Sequence, residues 1–309
     1  TVDVWAVSGS GNCTMSMREV TGKLALGTVQ FGLPYGIANQ QGQVSVEEVG
    51  QILERAREAG VDTLDTAIAY GESERVLGEF DLRSFKVVTK LSAIPDACDD
   101  LSGWVERQLA ESLARLGLQR VDAVLLHRPA QLLEPQGEAL YAALLGLREQ
   151  GLAGRIGASV YDGEELERLC QRFALDLVQA PYNIIDHRLD ESGWLQRLSQ
   201  QGTALHVRSV FLQGLLLMNR EQRPASFERW QSLWQCWDGW LEEHQLSPLQ
   251  ATLRYALNQP LIERVVVGVD SAQQWQQILQ AAAGNCPPVP AELGTTDSAL
   301  LNPALWKTA

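Results

Sequence analysis

The sequence lacks several features that would assign it to a particular class of protein. It has no apolar run near the roughly 18 residues that a bilayer helix needs, so we expect no membrane partner. Its five cysteines are scattered and form no CxxC pair, which argues against a disulfide framework. No basic cluster offsets the 38 acidic residues, and the net charge of −13 argues against nucleic-acid binding. Residues 1–22 also lack the basic and apolar stretches of a secretory leader, so we expect a cytoplasmic protein.

Short apolar runs recur along the chain and alternate with longer amphipathic segments. With 45% hydrophobic residues among 309, the chain can bury a large core. The runs are rich in apolar and β-branched residues, which is typical of parallel strands buried on both faces. We predict eight strands, over residues 24–29, 61–65, 85–90, 121–127, 154–159, 175–180, 203–209 and 263–268.

The segments between most of these runs have helical periodicity. The first of them begins at Ser45, a candidate N-cap, and ends at Gly60. Strand–helix alternation implies parallel strands joined by right-handed crossovers, and eight repeats match a closed (β/α)8 TIM barrel. An open doubly wound sheet is the alternative, but the turn after the first strand lacks the G-x-G-x-x-G spacing. The predicted helical segments are 45–60, 104–117, 138–151, 162–173, 189–202, 226–244 and 271–282.

We predict that the chain forms one barrel domain over residues 23–285. Residues 1–22 carry no clear period and are a poorly specified N-terminal extension. Residues 286–309 form a proline-rich tail, which we expect to pack on the outside of the barrel.

Four polar residues fall at or just after the ends of three successive predicted strands. Asp65 ends the second strand, Tyr70 follows it in the loop, Lys90 ends the third strand and His127 ends the fourth. In a TIM barrel the carboxyl ends of the strands meet at one face, and that face carries the active site. We therefore expect these side chains to lie close together.

This combination of residue types suits the reduction of a carbonyl group. Hydride transfer to a carbonyl carbon leaves an alkoxide that must be protonated, and a free phenol has a pKa near 10, too high for ready donation. A lysine ammonium beside the phenol stabilises the phenolate, and an aspartate keeps that lysine charged. A histidine orients the carbonyl oxygen or relays the proton. We assign Tyr70 as the proton donor, supported by Lys90, Asp65 and His127.

These residues lie in segments that resemble the aldo-keto reductase superfamily. The segments are LALGTVQFG, LDTAIAYGESERVLG, VVTKL and VLLHRP, and the similarity extends from about Lys23 to Leu279. The resemblance implies an enzyme that uses NADP(H) or NAD(H) to reduce an aldehyde or ketone. Its partner is then a small-molecule carbonyl substrate, of which a sugar-like carbonyl is one kind.

The resemblance also implies which residues bind the nicotinamide cofactor. Ser159 and Gln179 match a pair that holds the nicotinamide carboxamide, although Val160 replaces an asparagine of the family. Arg208 stands where the family often has a tyrosine that stacks on the ring. A planar guanidinium either stacks in its place or contacts the pyrophosphate of the cofactor instead. The full predicted set is Gly27, Thr28, Ser159, Gln179, Arg208, Ser209, Gly214, Gly268, Asp270, Ser271 and Gln274.

The segment after the eighth strand bears on the choice between the two cofactors. Family members often carry a cation there that binds the 2′-phosphate of NADP, whereas this chain has Asp270 and no nearby cation. A carboxylate repels a phosphate but accepts a hydrogen bond from a ribose hydroxyl. We therefore expect weak discrimination toward NADPH, with NADH usable.

Two other functions remain open from the residues alone. A Schiff-base aldolase would use Lys90 as its nucleophile, but the neighbouring Asp65 raises the lysine pKa and so opposes this role. A regulatory subunit would bind nicotinamide with little turnover.

The tryptophans at 230, 234, 237 and 240 recur at helical spacing and predict a helix packed on the barrel. No histidines have the spacing of metal ligands, so we predict no metal site.

Overall fold

The fold is a closed barrel of eight parallel strands. The structure is a computed structural model that describes residues 17–37, 39, 42–96 and 98–306, so the first sixteen residues of the predicted extension lie outside the described residues. The strands pair in chain order and the eighth pairs with the first, which confirms the predicted (β/α)8 TIM barrel. The strands are Leu24–Gly27 (β1), Thr63–Asp65 (β2), Lys86–Leu91 (β3), Val121–Leu126 (β4), Ala153–Ser159 (β5), Leu177–Pro181 (β6), Ala204–Arg208 (β7) and Arg264–Gly268 (β8).

Helices surround this barrel and connect its strands. No helix in the described part of the chain is both long enough and apolar enough to cross a membrane. The α-helices are Met17–Lys23 (α1), Val29–Gly32 (α2), Val46–Glu58 (α3), Ser73–Leu77 (α4), Leu101–Leu116 (α5), Gly137–Glu149 (α6), Gly163–Cys170 (α7), Arg188–Glu191 (α8), Trp194–Gln200 (α9), Gln231–His244 (α10), Pro248–Leu257 (α11), Ala272–Ala282 (α12) and Ser298–Leu301 (α13). Short 3-10 helices cover Pro129–Leu133, Leu212–Leu217, Ala225–Trp230, Ala291–Leu293 and Pro303–Leu305.

Two of the predicted helical segments differ from the structure, and five of its helices lie outside all of the predicted segments: α1, α2, α4, α11 and α13. The segment 189–202 is two helices, α8 and α9, because Gly193 between them has a left-handed φ of 74°. The segment 226–244 begins as a 3-10 helix and becomes α-helical only at Gln231. Of these unpredicted helices, α11 starts at a capping box in which Ser247 and Gln250 bond each other's backbone, a signal that is readable in the sequence.

Burial of the strands explains why they read as continuous apolar runs. All four residues of β1 are buried, because one face of the strand meets the barrel interior and the other meets the helices. Inside the barrel, Val88, Ala123, Leu125 and Leu177 form a small apolar cluster of their own. A much larger cluster fills the layer between strands and helices. The packed interior fixes the strand ends, and hence the polar residues there.

The tryptophan stripe lies in a second apolar cluster. Trp234, Trp237 and Trp240 are buried, and the apolar residues around them include Leu293 and Leu300 of the C-terminal segment. Loop residues that follow β6 and β7 complete this cluster. Helix α10 therefore packs between loops at the carboxyl ends of the strands and the C-terminal segment, rather than directly on the strands.

A buried carboxylate ties the loop after β2 to its neighbours. Glu74 of α4 is 1% exposed, and it accepts hydrogen bonds from Thr89 Oγ1 (2.6 Å), Ser112 Oγ (2.5 Å) and Arg115 Nε (2.9 Å). These donors belong to β3 and α5, so one side chain joins three consecutive elements. The contact also fixes the start of α4, only a few residues after Tyr70.

We expect Glu74→Ala to lower the free energy of unfolding by about 3 kcal/mol, since it leaves two buried hydroxyls and the partly buried guanidinium of Arg115 without their acceptor. Urea denaturation would measure this loss. The matched control is Glu79→Ala, which removes an exposed carboxylate paired with Arg75 and should cost less than about 1 kcal/mol. Equal losses for the two variants would contradict the assigned role of Glu74.

Candidate active site

A cavity of about 620 Å³ opens at the carboxyl ends of the strands. Its volume is typical of a small-molecule or cofactor site. Three predicted residues do not line it: Lys90 and Gln179 are buried beneath it, and Ser271 caps α12 beside it. The predicted residues that line the cavity are Gly27, Thr28, Asp65, Tyr70, His127, Ser159, Arg208, Ser209, Gly214, Gly268, Asp270 and Gln274.

Lys90 connects the predicted proton donor to its carboxylate. Its ammonium group donates to Asp65 Oδ1 (2.7 Å), to the carbonyl oxygen of Thr66 (2.8 Å) and to Tyr70 Oη (3.4 Å). The side chain is 1% exposed. Burial by itself would lower the pKa of Lys90, but the charges of Asp65 and Tyr70 outweigh burial and raise this pKa above its usual value. The lysine is therefore a cation, held by three acceptors at the base of the cavity.

The loop that carries Tyr70 is fixed by close packing against the turn after β1. The backbone carbonyl of Tyr70 lies so close to Gly32 that a Cβ there would be 1.8 Å away, and so only glycine fits. Ser73 Oγ lies 2.8 Å from Thr28 Oγ1, and Thr28 Oγ1 donates to the carbonyl oxygen of Asp65 (3.0 Å). The ends of β1 and β2 are thus joined by buried hydroxyls directly behind the catalytic candidates.

His127 lies beside Tyr70 and is neutral at pH 7. The two rings meet edge to face, with centroids 5.8 Å apart and an interplanar angle of 84°. Burial lowers the pKa of His127 to about 4, and the positive charges of Lys90 and Arg208 add to the effect. The imidazole therefore offers one donor and one acceptor to a ligand, and it is not an acid at neutral pH.

Gln179, which the resemblance assigns to the nicotinamide carboxamide, lies buried beneath the cavity and is hydrogen-bonded within the protein. Its amide nitrogen donates to Asp65 Oδ2 (2.6 Å), and Ser159 Oγ donates to its amide oxygen (3.4 Å). The side chain is fully buried. Here Gln179 holds the carboxylate of Asp65 from across the barrel, and Ser159 alone of the predicted carboxamide pair faces the cavity. Val160, which replaces the family's asparagine, is buried, and its carbonyl oxygen accepts from Arg208 Nη2 (3.0 Å).

The residues after β7 and β8 form the other wall. Ser209 and Gly214 have left-handed φ values of 62° and 92°. For Ser209, which is not a glycine, this conformation is strained, and such strain clusters at functional sites. Asp270 Oδ1 accepts from Asn39 Nδ2 (3.0 Å), and burial raises the pKa of this carboxyl group. Gln274 accepts from the backbone nitrogen of Asp270 (2.8 Å). Asp270 thus faces the cavity in a fixed position.

Several cavity residues were not predicted from the sequence. Gln30 is 9% exposed and its Oε1 has no hydrogen-bond partner among the described residues. Tyr35 and Tyr161 stand at the mouth, 41% and 49% exposed. Two sequence features could have identified these tyrosines as cavity residues. Tyr35 lies in the glycine-rich loop after β1, and Tyr161 lies two residues after Ser159. No cluster of three or more potential metal ligands occurs in the described ranges.

Comparison with known proteins agrees with this geometry. The sequence profile of the Aldo/keto reductase family matches residues 23–292. This chain belongs to the aldo/keto reductase family. The match confirms the resemblance inferred from the sequence. The family consists of oxidoreductases that act on carbonyls and that generally use nicotinamide cofactors.

Individual family members show how far the similarity extends. The chain is 27% identical to a D-threo-aldose 1-dehydrogenase from a Pseudomonas species, over 85% of this chain and 92% of that one. It is 30% identical to the oxidoreductase sirO of Leptosphaeria maculans, over 67% of this chain and 65% of that one. It is also 30% identical to an NADH-specific methylglyoxal reductase of Escherichia coli, over 54% and 57% of the two chains.

Solved structures share the fold. An aldo-keto reductase from Bacillus halodurans, solved in its holo form, superposes with a TM-score of 0.68 and 20% identity, covering 88% of this chain and 89% of that one. An aldo-keto reductase from Pseudomonas aeruginosa gives a TM-score of 0.62 at 23% identity, covering 84% and 89%. At these identities the structures establish the common barrel and nothing finer.

Proposed function

We propose that this protein uses NADH or NADPH to reduce an aldehyde or ketone, with Tyr70 as the proton donor. The observation that carries the proposal is the buried chain of hydrogen bonds from Asp65 through Lys90 to Tyr70, which ends at the cavity with His127 beside it. A buried ion pair is weak evidence for a purely stabilising role, because apolar residues of similar volume often stabilise a core as well or better. It serves instead to position a phenol against a cation.

The residues at the opposite end of the cavity fit a nicotinamide dinucleotide. Strands β1 and β8 end in Gly27 and Gly268, side by side, and a Cβ at Gly268 would lie 2.5 Å from the Gln30 amide. The unpartnered Gln30 Oε1 is an acceptor for a hydroxyl or an amide of a ligand. Gly268, Asp270, Gln274 and Gly214 would hold the dinucleotide along this wall. When bound, the reduced nicotinamide supplies the hydride.

Each of the remaining residues has a defined role in the proton transfer. A carbonyl oxygen near Tyr70 Oη receives the phenolic proton as negative charge develops on it, while neutral His127 hydrogen-bonds and orients the same oxygen. The ammonium of Lys90, 3.4 Å from Tyr70 Oη, stabilises the phenolate that remains. Asp65, fixed by Gln179, keeps Lys90 in place.

The test is a screen of aldehydes, ketones and sugars with each cofactor, followed by the absorbance of the reduced nicotinamide. Oxidation of the cofactor that depends on an added carbonyl compound supports the proposal. Binding of cofactor without turnover on any carbonyl would instead indicate the regulatory alternative. The Schiff-base alternative predicts covalent trapping by borohydride, and the bonds that Lys90 makes to Asp65 and Thr66 oppose it, because an ammonium is not a nucleophile.

Cofactor preference is tested at Asp270. We expect the wild type to bind NADH, because this carboxylate repels a 2′-phosphate and accepts from a ribose hydroxyl. Asp270→Lys should raise the affinity for NADPH relative to NADH by about tenfold, as expected for a gain of about 1.4 kcal/mol. Quenching of tryptophan fluorescence during cofactor titration measures both affinities.

The control is Glu149→Lys, the same charge reversal at an exposed position at the end of α6. It should leave the ratio of the two affinities unchanged. Binding of NADPH by the wild type with no detectable NADH binding would contradict the expected role of Asp270.

A further inference from the structure

One positive charge in the cavity forms no ion pair with any residue that the structure describes. Arg208 is the one lysine or arginine that lines the cavity in the described ranges, and no described carboxylate lies within ion-pair distance of it. Its Nη2 donates to the carbonyl oxygen of Val160 (3.0 Å) and its Nη1 to Ser209 Oγ (3.3 Å). Because both acceptors are neutral, and a guanidinium has five N–H donors, the group keeps its charge and spare donors for a ligand.

The guanidinium points toward the reacting end of the cavity. Its bond to Val160 carries it from the end of β7 to the end of β5, away from Asp270 and α12. Its Cζ lies 4.8 Å from the ring centroid of Tyr161, a cation–π contact with the cavity wall. Arg208 is near enough to His127 to help lower the pKa of that imidazole. The cation therefore faces the same space as the proton donor.

The charged groups that line that space do not pair with Arg208. Lys90 and Asp65 form a buried pair and cancel one another, and His127 is neutral. Among the groups that line the reacting end, Arg208 thus leaves one net positive charge, inside a molecule whose overall charge is −13, and the carboxylate of Glu165 is near enough to interact with it. Such a charge in a recessed, partly desolvated site acts on a ligand more strongly than a surface charge does.

The walls next to Arg208 are apolar and aromatic. Leu33, Tyr35 and Tyr161 line the cavity, and they are three of the six large hydrophobic residues that are exposed in the described chain. Tyr35 Oη accepts from Gln213 Nε2 (3.4 Å), which fixes one of the two rings. A ligand with an apolar body and one anionic group matches this combination.

We propose that the substrate is a carbonyl compound that also carries a carboxylate, and that Arg208 binds the carboxylate while Tyr70 faces the carbonyl oxygen. This proposal rests on the proposed function and names the substrate class for it. One guanidinium matches the single charge of a carboxylate, and its planar fork fits the two oxygens. Arg208 then determines specificity and takes no part in the proton transfer.

Matched pairs of aldehydes test the proposal. 4-Carboxybenzaldehyde is compared with its methyl ester, and 4-oxobutanoate with its methyl ester, so that only the negative charge differs within a pair. We expect the wild type to prefer the acid over the ester by roughly 10–100-fold in kcat/KM, the effect of a charge-assisted hydrogen bond. Arg208→Gln should abolish the preference, and Arg208→Lys should keep part of it, because it retains the charge but not the fork.

The preference is a ratio within one enzyme, so any general effect of a variant on turnover cancels. The control, Arg172→Gln, removes an equal charge from the turn that follows α7, outside the cavity, and should leave the preference intact. Equal rates of the wild type on acid and ester would overturn the proposal. So would an Arg208→Gln variant that keeps the preference but binds either cofactor more weakly, since that result would assign Arg208 to a cofactor phosphate.

Calorimetric titrations with benzoate and, separately, with the neutral benzamide, each with and without NADH, distinguish this proposal from the proposed function. Benzoate binding that depends on Arg208, in a protein that reduces no carbonyl, would overturn the proposed function alone. Reduction of neutral carbonyls without any Arg208-dependent binding of benzoate would overturn the carboxylate proposal alone.

Discussion

Replacing Tyr70 by phenylalanine is expected to slow carbonyl reduction by about 10²–10⁴-fold, the usual effect of losing a general acid. The substitution removes one hydroxyl, whose contact with Lys90 Nζ spans 3.4 Å, and it keeps the ring that packs edge to face on His127. Lys90 retains its bonds to Asp65 and to the carbonyl of Thr66. The loss should therefore appear in kcat, with the free energy of unfolding and the cofactor affinity nearly unchanged.

Steady-state kinetics, urea denaturation and cofactor titration measure these three quantities on the same preparation. Tyr141→Phe is the matched control, because it also removes one phenolic hydroxyl, from a tyrosine of α6 that donates to the carbonyl of Ala174 outside the cavity. It should turn over at the wild-type rate. A Tyr70→Phe variant as fast as the wild type would exclude Tyr70 as the proton donor.

The barrel and the strand-end residues were predictable from the sequence for a local reason. A buried parallel strand is a short apolar run, so its end, and the polar residue there, can be located within a residue or two. Asp65 ends β2 as predicted, while β3 runs one residue past Lys90 to Leu91, and β4 ends at Leu126, one residue before His127. Since the strands close in chain order, neighbouring strand ends become neighbouring side chains.

Contacts made across the barrel were not predictable in this way. Gln179 and Asp65 lie on β6 and β2, 114 residues apart, and no local pattern links them. The exact path of the loop after β1, which brings Tyr35 to the mouth, depends on packing rather than on periodicity. The C-terminal segment has no period either, so Leu293 and Leu300 could not be assigned in advance to the tryptophans that they cover.

Replacing Lys90 by methionine is expected to slow turnover by at least about 10²-fold, by analogy with the loss of one electrostatic stabiliser. It should also lower the free energy of unfolding by about 3–5 kcal/mol, the usual effect of removing one partner of a buried ion pair. The carboxylate of Asp65 is 5% exposed and would keep only the amide of Gln179 as a side-chain donor. Urea denaturation and kinetics measure the two losses separately.

The double variant Asp65→Asn with Lys90→Met removes both charges, so it should recover much of the stability but none of the activity. Lys86→Met is the control: it makes the same substitution on the same strand, in an ion pair with Asp62 whose lysine is 50% exposed, and should cost about 0–1 kcal/mol.

Because Asp65 and Tyr70 raise the pKa of Lys90 despite its burial, the folded state binds this proton more tightly than the unfolded state does. The stabilisation is thus complete below the unfolded pKa of about 10.4 and is lost only as the pH rises through the higher folded value. A stability that rises between pH 7 and 9 in the wild type but not in the double variant would show that the folded pKa of Lys90 lies below its unfolded value, and would remove the basis for its electrostatic role.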